Sequence, residues 1–219
     1  MCFSTTASFA AGIVLSGVGV ASVIKSKEPA QQMFAAIPLV FGLQQFAEGF
    51  VWLSLTQSWP ALYQQIAVQV FLVFAMIIWP IWIPLAICYF EPNWLRRKVI
   101  GWISVIGIVM GFFSLYYLIT RTSTAVVSDF HIHYNLQIPQ NLLMVCGLIY
   151  LFPTIVSHFF STVKGVPVMG ALVMVSYLVT RFLFVDYVLS VWCFFSAVIS
   201  IMIYFIVKKR VDATRKLRY

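Results

Sequence analysis

The sequence predicts an all-α membrane protein: a seven-transmembrane-helix bundle with the N-terminus outside and the C-terminus in the cytoplasm. Of the 219 residues, 62% are apolar and 9% are charged, whereas a soluble domain is about 45–50% apolar and about 25% charged. The apolar residues form seven runs, and the basic residues fall on alternate connections between them. These observations exclude a water-soluble globule, a disordered chain and a nucleic-acid-binding module.

Each predicted span is an apolar run close to the roughly 20 residues that a helix needs to cross a bilayer. The stretch 166–207 is nearly unbroken, and as one helix it would be about 63 Å long, twice the hydrocarbon thickness. We therefore place a turn near its only charged residues, Arg181 and Asp186. The chain is then a single domain over residues 1–219 with spans at Thr6–Ile24, Met33–Leu55, Gln65–Tyr89, Ile100–Thr120, Gln140–Phe160, Val166–Arg181 and Tyr187–Val207.

The orientation follows from the positions of Lys and Arg. Twelve of the 14 basic residues follow the first, third, fifth or seventh run, and only Arg121 and Arg181 lie on the other side. Because basic residues are retained in the cytoplasm, we expect these connections and the basic tail 208–219 to lie inside. The net charge of +8 is thus a signal of orientation, and the expected partner is the lipid bilayer, with no nucleic acid.

Small residues and prolines indicate how the helices pack. Prolines at positions 80, 84 and 153 should kink the third and fifth helices. Small side chains let helix backbones approach closely in lipid, and they recur on one face of the first and fourth helices, at Ser8, Gly12, Ser16, Gly19, Ser104, Gly107, Gly111 and Ser114.

Glu48 is the only acidic residue well inside a predicted span. A carboxylate at the bilayer centre costs about 2.5–3.5 kcal/mol on insertion scales, so Glu48 should face other helices and be paired, hydrogen-bonded or protonated. At about 100° per residue, Gln44, Gln45 and Trp52 lie on the same side of the helix. The four residues predict an intramembrane polar pocket that opens outward.

Arg181 is the expected partner of Glu48, because it is the basic residue near the outer end of a span. Two interpretations of Glu48 remain open at this stage. One is a structural ion pair or hydrogen-bond network that fixes the order of the helices. The other is a binding or catalytic pocket, because an ionisable residue within a membrane is often functional.

A metal ion is the one candidate cofactor, at the longest predicted connection, residues 121–139. His131 and His133 would project to one side of an extended segment, and Asp129 or Glu48 could join them. A zinc site needs three or four ligands, so the histidine pair alone falls short of one.

Two segments, Met1–Phe9 and Gln44–Trp52, resemble an uncharacterised family of bacterial integral-membrane proteins. The resemblance implies a protein of the bacterial inner membrane and no particular chemistry. It also draws Ser4 and Thr5 into the candidate site, because they lie at the predicted outer mouth above Glu48, where their hydroxyls could line the same cavity.

Three functions are compatible with this pattern. The first is binding or transport of a small molecule, with Glu48 as charge partner or proton carrier, Gln44 and Gln45 orienting the ligand, and Trp52 as an aromatic wall. The second is an enzyme acting on a lipid or apolar substrate, with Glu48 as general acid or base, assisted by the histidines or the aspartate of the 121–139 connection. The third is a structural or accessory subunit whose polar stripe meets a partner's helix.

Overall fold

A computed structural model describes residues 4–26, 28–128 and 131–216, which form a helical bundle with a small β-hairpin. Two π-helical segments, Val73–Ile78 and Phe152–Val156, and a 3-10 turn, Val185–Tyr187, interrupt or join the helices. The other elements are α1 Thr5–Lys25, α2 Pro29–Ala35, α3 Ile37–Thr56, α4 Ala61–Leu72, α5 Trp79–Phe90, α6 Trp94–Thr120, β1 Thr124–Ser128, β2 His131–Asn135, α7 Gln140–Leu151, α8 Ser157–Phe159, α9 Val166–Leu183, α10 Val188–Ser200 and α11 Met202–Lys216.

Six helical segments of the described chain are long and apolar enough to cross a membrane. The fifth predicted span corresponds to a shorter apolar helix, Met144–Phe159. The helical, membrane-spanning character of the chain is thus supported, whereas the seven crossings and their direction stay predictions. The six segments are Thr5–Lys25, Pro29–Thr56, Ala61–Phe90, Trp94–Thr120, Val166–Leu183 and Val185–Ala213.

The helices differ from the predicted spans where prolines interrupt them. Pro80 lies two residues after the end of the first π-helical segment, and Pro153 lies within the second. Because proline donates no backbone hydrogen bond and its ring clashes with the carbonyl four residues earlier, the wider π turn accommodates it. The basic tail also differs, since α11 continues as a helix from the last span to Lys216.

The small residues on α1 and α6 lie at close helix crossings, as expected. A Cβ atom added at Gly42 of α3 would lie 2.5 Å from Ser16 Oγ of α1, and one added at Gly19 would collide with the backbone of Leu39. On α6, a Cβ at Gly107 would collide with the carbonyl oxygen of Pro80. These contacts make α1 antiparallel to α3 and set α6 against the proline-containing part of α5.

The connections gather at two ends of the bundle. At the Glu91 end, the segment after α5 contacts the segment after α8, and Phe34 of α2 stacks on Phe90 of α5 with ring centroids 4.5 Å apart. At the hairpin end, β1 contacts α3 and α4, and β2 contacts α10 and the 3-10 turn before it. The Glu91 end carries the described basic residues of the connections predicted to be cytoplasmic.

Candidate functional site

The polar stripe of α3 is enclosed by protein. Gln44, Gln45 and Glu48 are each 0% exposed, and α3 packs against α1, α4 and α10. The expectation that Glu48 faces neighbouring helices and not the lipid is therefore confirmed.

Two described hydrogen bonds hold the Glu48 carboxyl. Ser190 Oγ of α10 donates to Glu48 Oε1 at 2.5 Å, and Gln45 Nε2 donates to Glu48 Oε2 at 3.3 Å. Both donors are neutral, so they stabilise the carboxyl by hydrogen bonding without supplying an opposite charge. Arg181, the expected partner, lies exposed on α9, and its pairing with Glu48 stays a prediction.

Two further residues connect the polar stripe of α3 to the rest of the bundle. Trp79 Nε1 of α5 donates to Gln44 Oε1 at 2.6 Å, and the Cys193 thiol of α10 accepts a hydrogen bond from the Gln44 amide and interacts electrostatically with the Glu48 carboxyl. The group is named here the Glu48 cluster, and its members are Gln44, Gln45, Glu48, Trp79, Ser190 and Cys193.

The stripe keeps hydrogen-bonding capacity that the described residues do not use. Among them, Gln45 Oε1 and Trp52 Nε1 are buried with no hydrogen-bond partner. A buried polar atom left in this state costs about 1–3 kcal/mol, and most such atoms in proteins bind protein or ordered water. The layer around Glu48 therefore contains polar atoms whose hydrogen-bonding capacity is not satisfied by the residues packed around them.

The β-hairpin closes the bundle above this layer. Ile132 and Tyr134 lie on one face of β2 and are buried, and Tyr134 stacks on Phe71 of α4 with ring centroids 4.6 Å apart. Both belong to the same apolar cluster as Trp52 and Cys193. The outward mouth expected for the pocket is thus filled by hairpin side chains, which explains why Glu48 has no exposed surface.

The strands lie in a connection that we expected to be a loop. The alternation from His131 to Tyr134, polar then apolar, is the signal that could have predicted β2. The two histidines face one side only if the segment is extended, and it is, since the described residues of β1 and β2 pair in an antiparallel register.

The two histidines pack against the turn that precedes α10. The His131 ring stacks on Tyr187 with centroids 4.7 Å apart, and His133 Nδ1 lies 2.8 Å from the carbonyl oxygen of Asp186. Within the described chain, no group of three His, Cys, Asp or Glu side chains could hold a metal ion. Asp129, the third expected ligand, lies outside the described residues, so the metal site stays a prediction.

Ser4 and Thr5 lie at the start of α1. Ser4 Oγ accepts a hydrogen bond from the Ala7 backbone N–H at 3.2 Å and caps the helix, which is the usual role of serine at this position. Ser4 is exposed and Thr5 is partly buried. Their contribution to a cavity shared with Glu48 stays a prediction. Ser8, one turn further along α1, is fully buried.

A half-open cleft lies on the other side of the Glu48 cluster. The rings of Phe41, Trp79, Tyr150 and Trp192 line it. Phe41 precedes Glu48 on α3, and Trp79 begins the helix that ends at Phe90. The cleft therefore extends from the Glu48 layer toward the Glu91 end of the bundle.

Trp79 and Cys193 belong both to the cleft wall and to the Glu48 cluster. The hydrogen bond between Ser190 and Glu48 also holds α10 in place one turn before Cys193. Sequence reasoning missed Trp79, Ser190 and Cys193. Ser190 and Cys193 are small side chains in an apolar run, and nothing in the chain indicates that position 190 pairs with position 48.

A second buried carboxyl, Glu91, was also missed. It is 0% exposed, and it accepts hydrogen bonds from Ser161 Oγ at 2.9 Å, Thr162 N at 2.7 Å, Thr162 Oγ1 at 2.5 Å and Asn93 N at 3.0 Å. Burial raises the pKa of this carboxyl, but the hydrogen bonds favour its charged form and bring the pKa below the ordinary value of 4.5. Glu91 thus joins the connection after α5 to the connection after α8, and this role is structural.

The model of one protein family, described as a family of unknown function (DUF6629), matches residues 1–218. The match includes the Glu48 cluster, the hairpin and Glu91. The resemblance of the sequence to an uncharacterised family is confirmed. No curated protein and no solved structure gives a significant match to the chain.

Proposed function

The chain belongs to this family, DUF6629, and we propose that it is a membrane protein that binds a small lipid-soluble molecule in the cleft beside Glu48. The observation that carries the proposal is the cleft itself. It lies between helical segments that are long and apolar enough to span a membrane and the shorter apolar helix Met144–Phe159. Two residues of its wall belong to the buried Glu48 cluster.

The chemistry of the lining supports a lipid-soluble ligand. Aromatic and aliphatic side chains supply most of the wall, with a few polar groups among them, as is typical of small-molecule sites. A cleft at membrane depth exchanges its contents with the bilayer more easily than with water. An apolar ligand would therefore enter without crossing the hairpin that closes the other side.

Glu48 acts as a positioning residue in this proposal. Its carboxyl binds Ser190, and α10 carries Trp192 and Cys193 into the cleft wall. Gln44 does the same for α5 by accepting the indole N–H of Trp79. The polar stripe, which the sequence predicts to contact a ligand, would thus set the shape of the cleft by holding the helices that form its wall.

A second candidate function is an enzyme that acts on a lipid or other apolar substrate, with Glu48 as general acid or base. The observation that favours it is the Cys193 thiol, which lies in the cleft wall and interacts electrostatically with the Glu48 carboxyl. In that case, Glu48→Gln would keep ligand binding and abolish turnover of the bound molecule, whereas a binding protein would leave the ligand chemically unchanged.

The binding proposal is tested by filling the cleft. Ser196 lines it on α10, so Ser196→Trp should displace the ligand. Val109→Trp adds the same side chain at a position of α6 that is 62% exposed. We expect native mass spectrometry to detect a bound small molecule on the wild type and on Val109→Trp, and less than about a tenth of it on Ser196→Trp. Equal occupancy of all three proteins would refute a ligand in the cleft.

A further inference from the structure

We infer that the ligand of the cleft carries a hydroxyl group on an apolar, ring-containing body, and that His158 accepts the hydrogen bond of this hydroxyl. The inference rests on the proposed function, because it specifies what the same cleft binds. It comes from the hydrogen bonds of the polar groups that line the Glu91 side of the cleft.

His158 presents an acceptor to the cleft. The residue lines the cleft and is 2% exposed, and its Nδ1 lies 3.3 Å from the carbonyl oxygen of Ile155. A carbonyl only accepts, so Nδ1 must carry the proton, and in the neutral imidazole Nε2 is then an acceptor. Gly170 of α9 packs directly against the base of the His158 side chain.

Three of the other hydroxyl groups that line the cleft have already used their donor protons. Tyr150 donates its hydroxyl proton to the Ala75 carbonyl at 2.6 Å, Thr154 donates to the Tyr150 carbonyl at 2.8 Å, and Ser200 donates to the Ala197 carbonyl at 2.6 Å. Their oxygens keep lone pairs, so these groups too offer acceptors and not donors.

No described residue donates to His158 Nε2. A ligand that supplies one donor would satisfy it, whereas an ether or an ester of the same shape would leave it unpaired at an energetic cost. The cleft should therefore distinguish a hydroxyl from its methyl ether.

The aromatic wall favours a ring in the body of the ligand. Phe41 and Trp79 stack with centroids 3.8 Å apart on one side of the cleft, and Tyr150 and Trp192 meet edge to face on another, with centroids 6.0 Å apart. A ring placed against these surfaces gains stacking or edge contacts beyond its area of burial. A phenol with an apolar tail matches both the wall and the acceptor.

The probes are 4-octylphenol and its methyl ether, 4-octylanisole. Only the phenol has a hydroxyl proton to donate. Equilibrium binding to detergent-solubilised full-length protein is measured against empty micelles. We expect the wild type to bind the phenol about 2- to 10-fold more tightly than the ether, the range of one net hydrogen bond. His158→Phe should bring the ratio to about 1, and Tyr116→Phe, at an exposed position of α6, should leave it unchanged.

The outcomes separate this inference from the proposed function. Equal binding of both probes, lost in Ser196→Trp, would refute the role of His158 and leave the cleft as a binding site. Absence of binding above the micelle control would overturn both. If His158→Phe does not fold, His158→Gln serves as the test. A glutamine amide can donate a hydrogen bond to the ether as well as accept one from the phenol, so the preference for the phenol over the ether should fall. An unchanged preference would refute the inference.

Discussion

Ser190 and Glu48 illustrate what one residue pair contributes to this bundle. They are separated by most of the chain, and their hydrogen bond is buried. The free-energy cost of a carboxyl in hydrocarbon predicts from sequence that Glu48 is sheltered. The identity of its partner could not be predicted, because a serine in an apolar run is equally compatible with a contact within its own helix.

Ser190→Ala should lower the free energy of unfolding by about 1–3 kcal/mol, because a buried carboxyl oxygen loses its donor. The matched control is Ser104→Ala. Ser104 is also buried, but its hydroxyl donates to the Ile100 carbonyl of its own helix. Unfolding in detergent, followed by tryptophan fluorescence, compares the two variants. Equal effects would show that the bond to Glu48 adds nothing specific.

Glu91 should make stability depend on pH in the acidic range. Its pKa is lower in the folded protein than the ordinary value of 4.5, so the unfolded chain takes up the proton first as the pH falls. The stabilisation is present above pH 4.5 and is lost as the pH falls below that value through the folded pKa. Melting temperatures of the wild type between pH 7 and about pH 3 should show this loss.

Glu91→Gln is the variant that isolates this effect. It should be less stable than the wild type at pH 7 and should lose part of the acid dependence, because the amide cannot accept at both positions. Glu28→Gln, at an exposed carboxyl, serves as the control and should titrate like the wild type. If the melting temperature of Glu91→Gln depends on pH as that of the wild type does, the assignment of this dependence to Glu91 is contradicted.

Among the elements, α6 shows how a sequence pattern becomes a contact. The small residues of α6 predict a close helix crossing, and Gly107 meets the carbonyl of Pro80. The pattern does not say which helix is the neighbour. The π-helical segments were also beyond prediction, because they depend on how the surrounding helices accommodate the prolines.

Gly107→Ala should destabilise the protein by about 1–3 kcal/mol, the usual cost of overpacking, because the added methyl group meets the Pro80 carbonyl oxygen. Gly101→Ala is the control on the same helix, where the nearest atom to an added Cβ is Cys88 Sγ at 4.0 Å. Thermal unfolding of both variants in one detergent tests the crossing. Equal stability of the two variants would contradict it.

At the scale of the whole molecule, the basic residues that the structure describes divide between two ends of the bundle in the way the sequence predicts. The helix ends that carry the basic connections lie together at the Glu91 end. The side of the membrane that this end faces is a prediction from the same charges. The cleft was not predictable, because empty space results from the packing of several helices and has no pattern along the chain.

The direction is tested by labelling single cysteines in intact cells, in a variant without the native cysteines. A cysteine replacing Lys164 at the Glu91 end should react only after the membrane is permeabilised to a charged maleimide. One replacing Arg121 at the hairpin end should react in intact cells. The reverse pattern would place the N-terminus in the cytoplasm.

The central claim is that the cleft between the Glu48 layer and the Glu91 end holds a lipid-soluble ligand. An experimental density map of the protein in lipid nanodiscs tests it most directly. We expect density for one compact molecule against Trp79 and Trp192, with a polar atom within hydrogen-bonding distance of His158 Nε2. A cleft that is closed by its own side chains, or open and empty, would contradict the account.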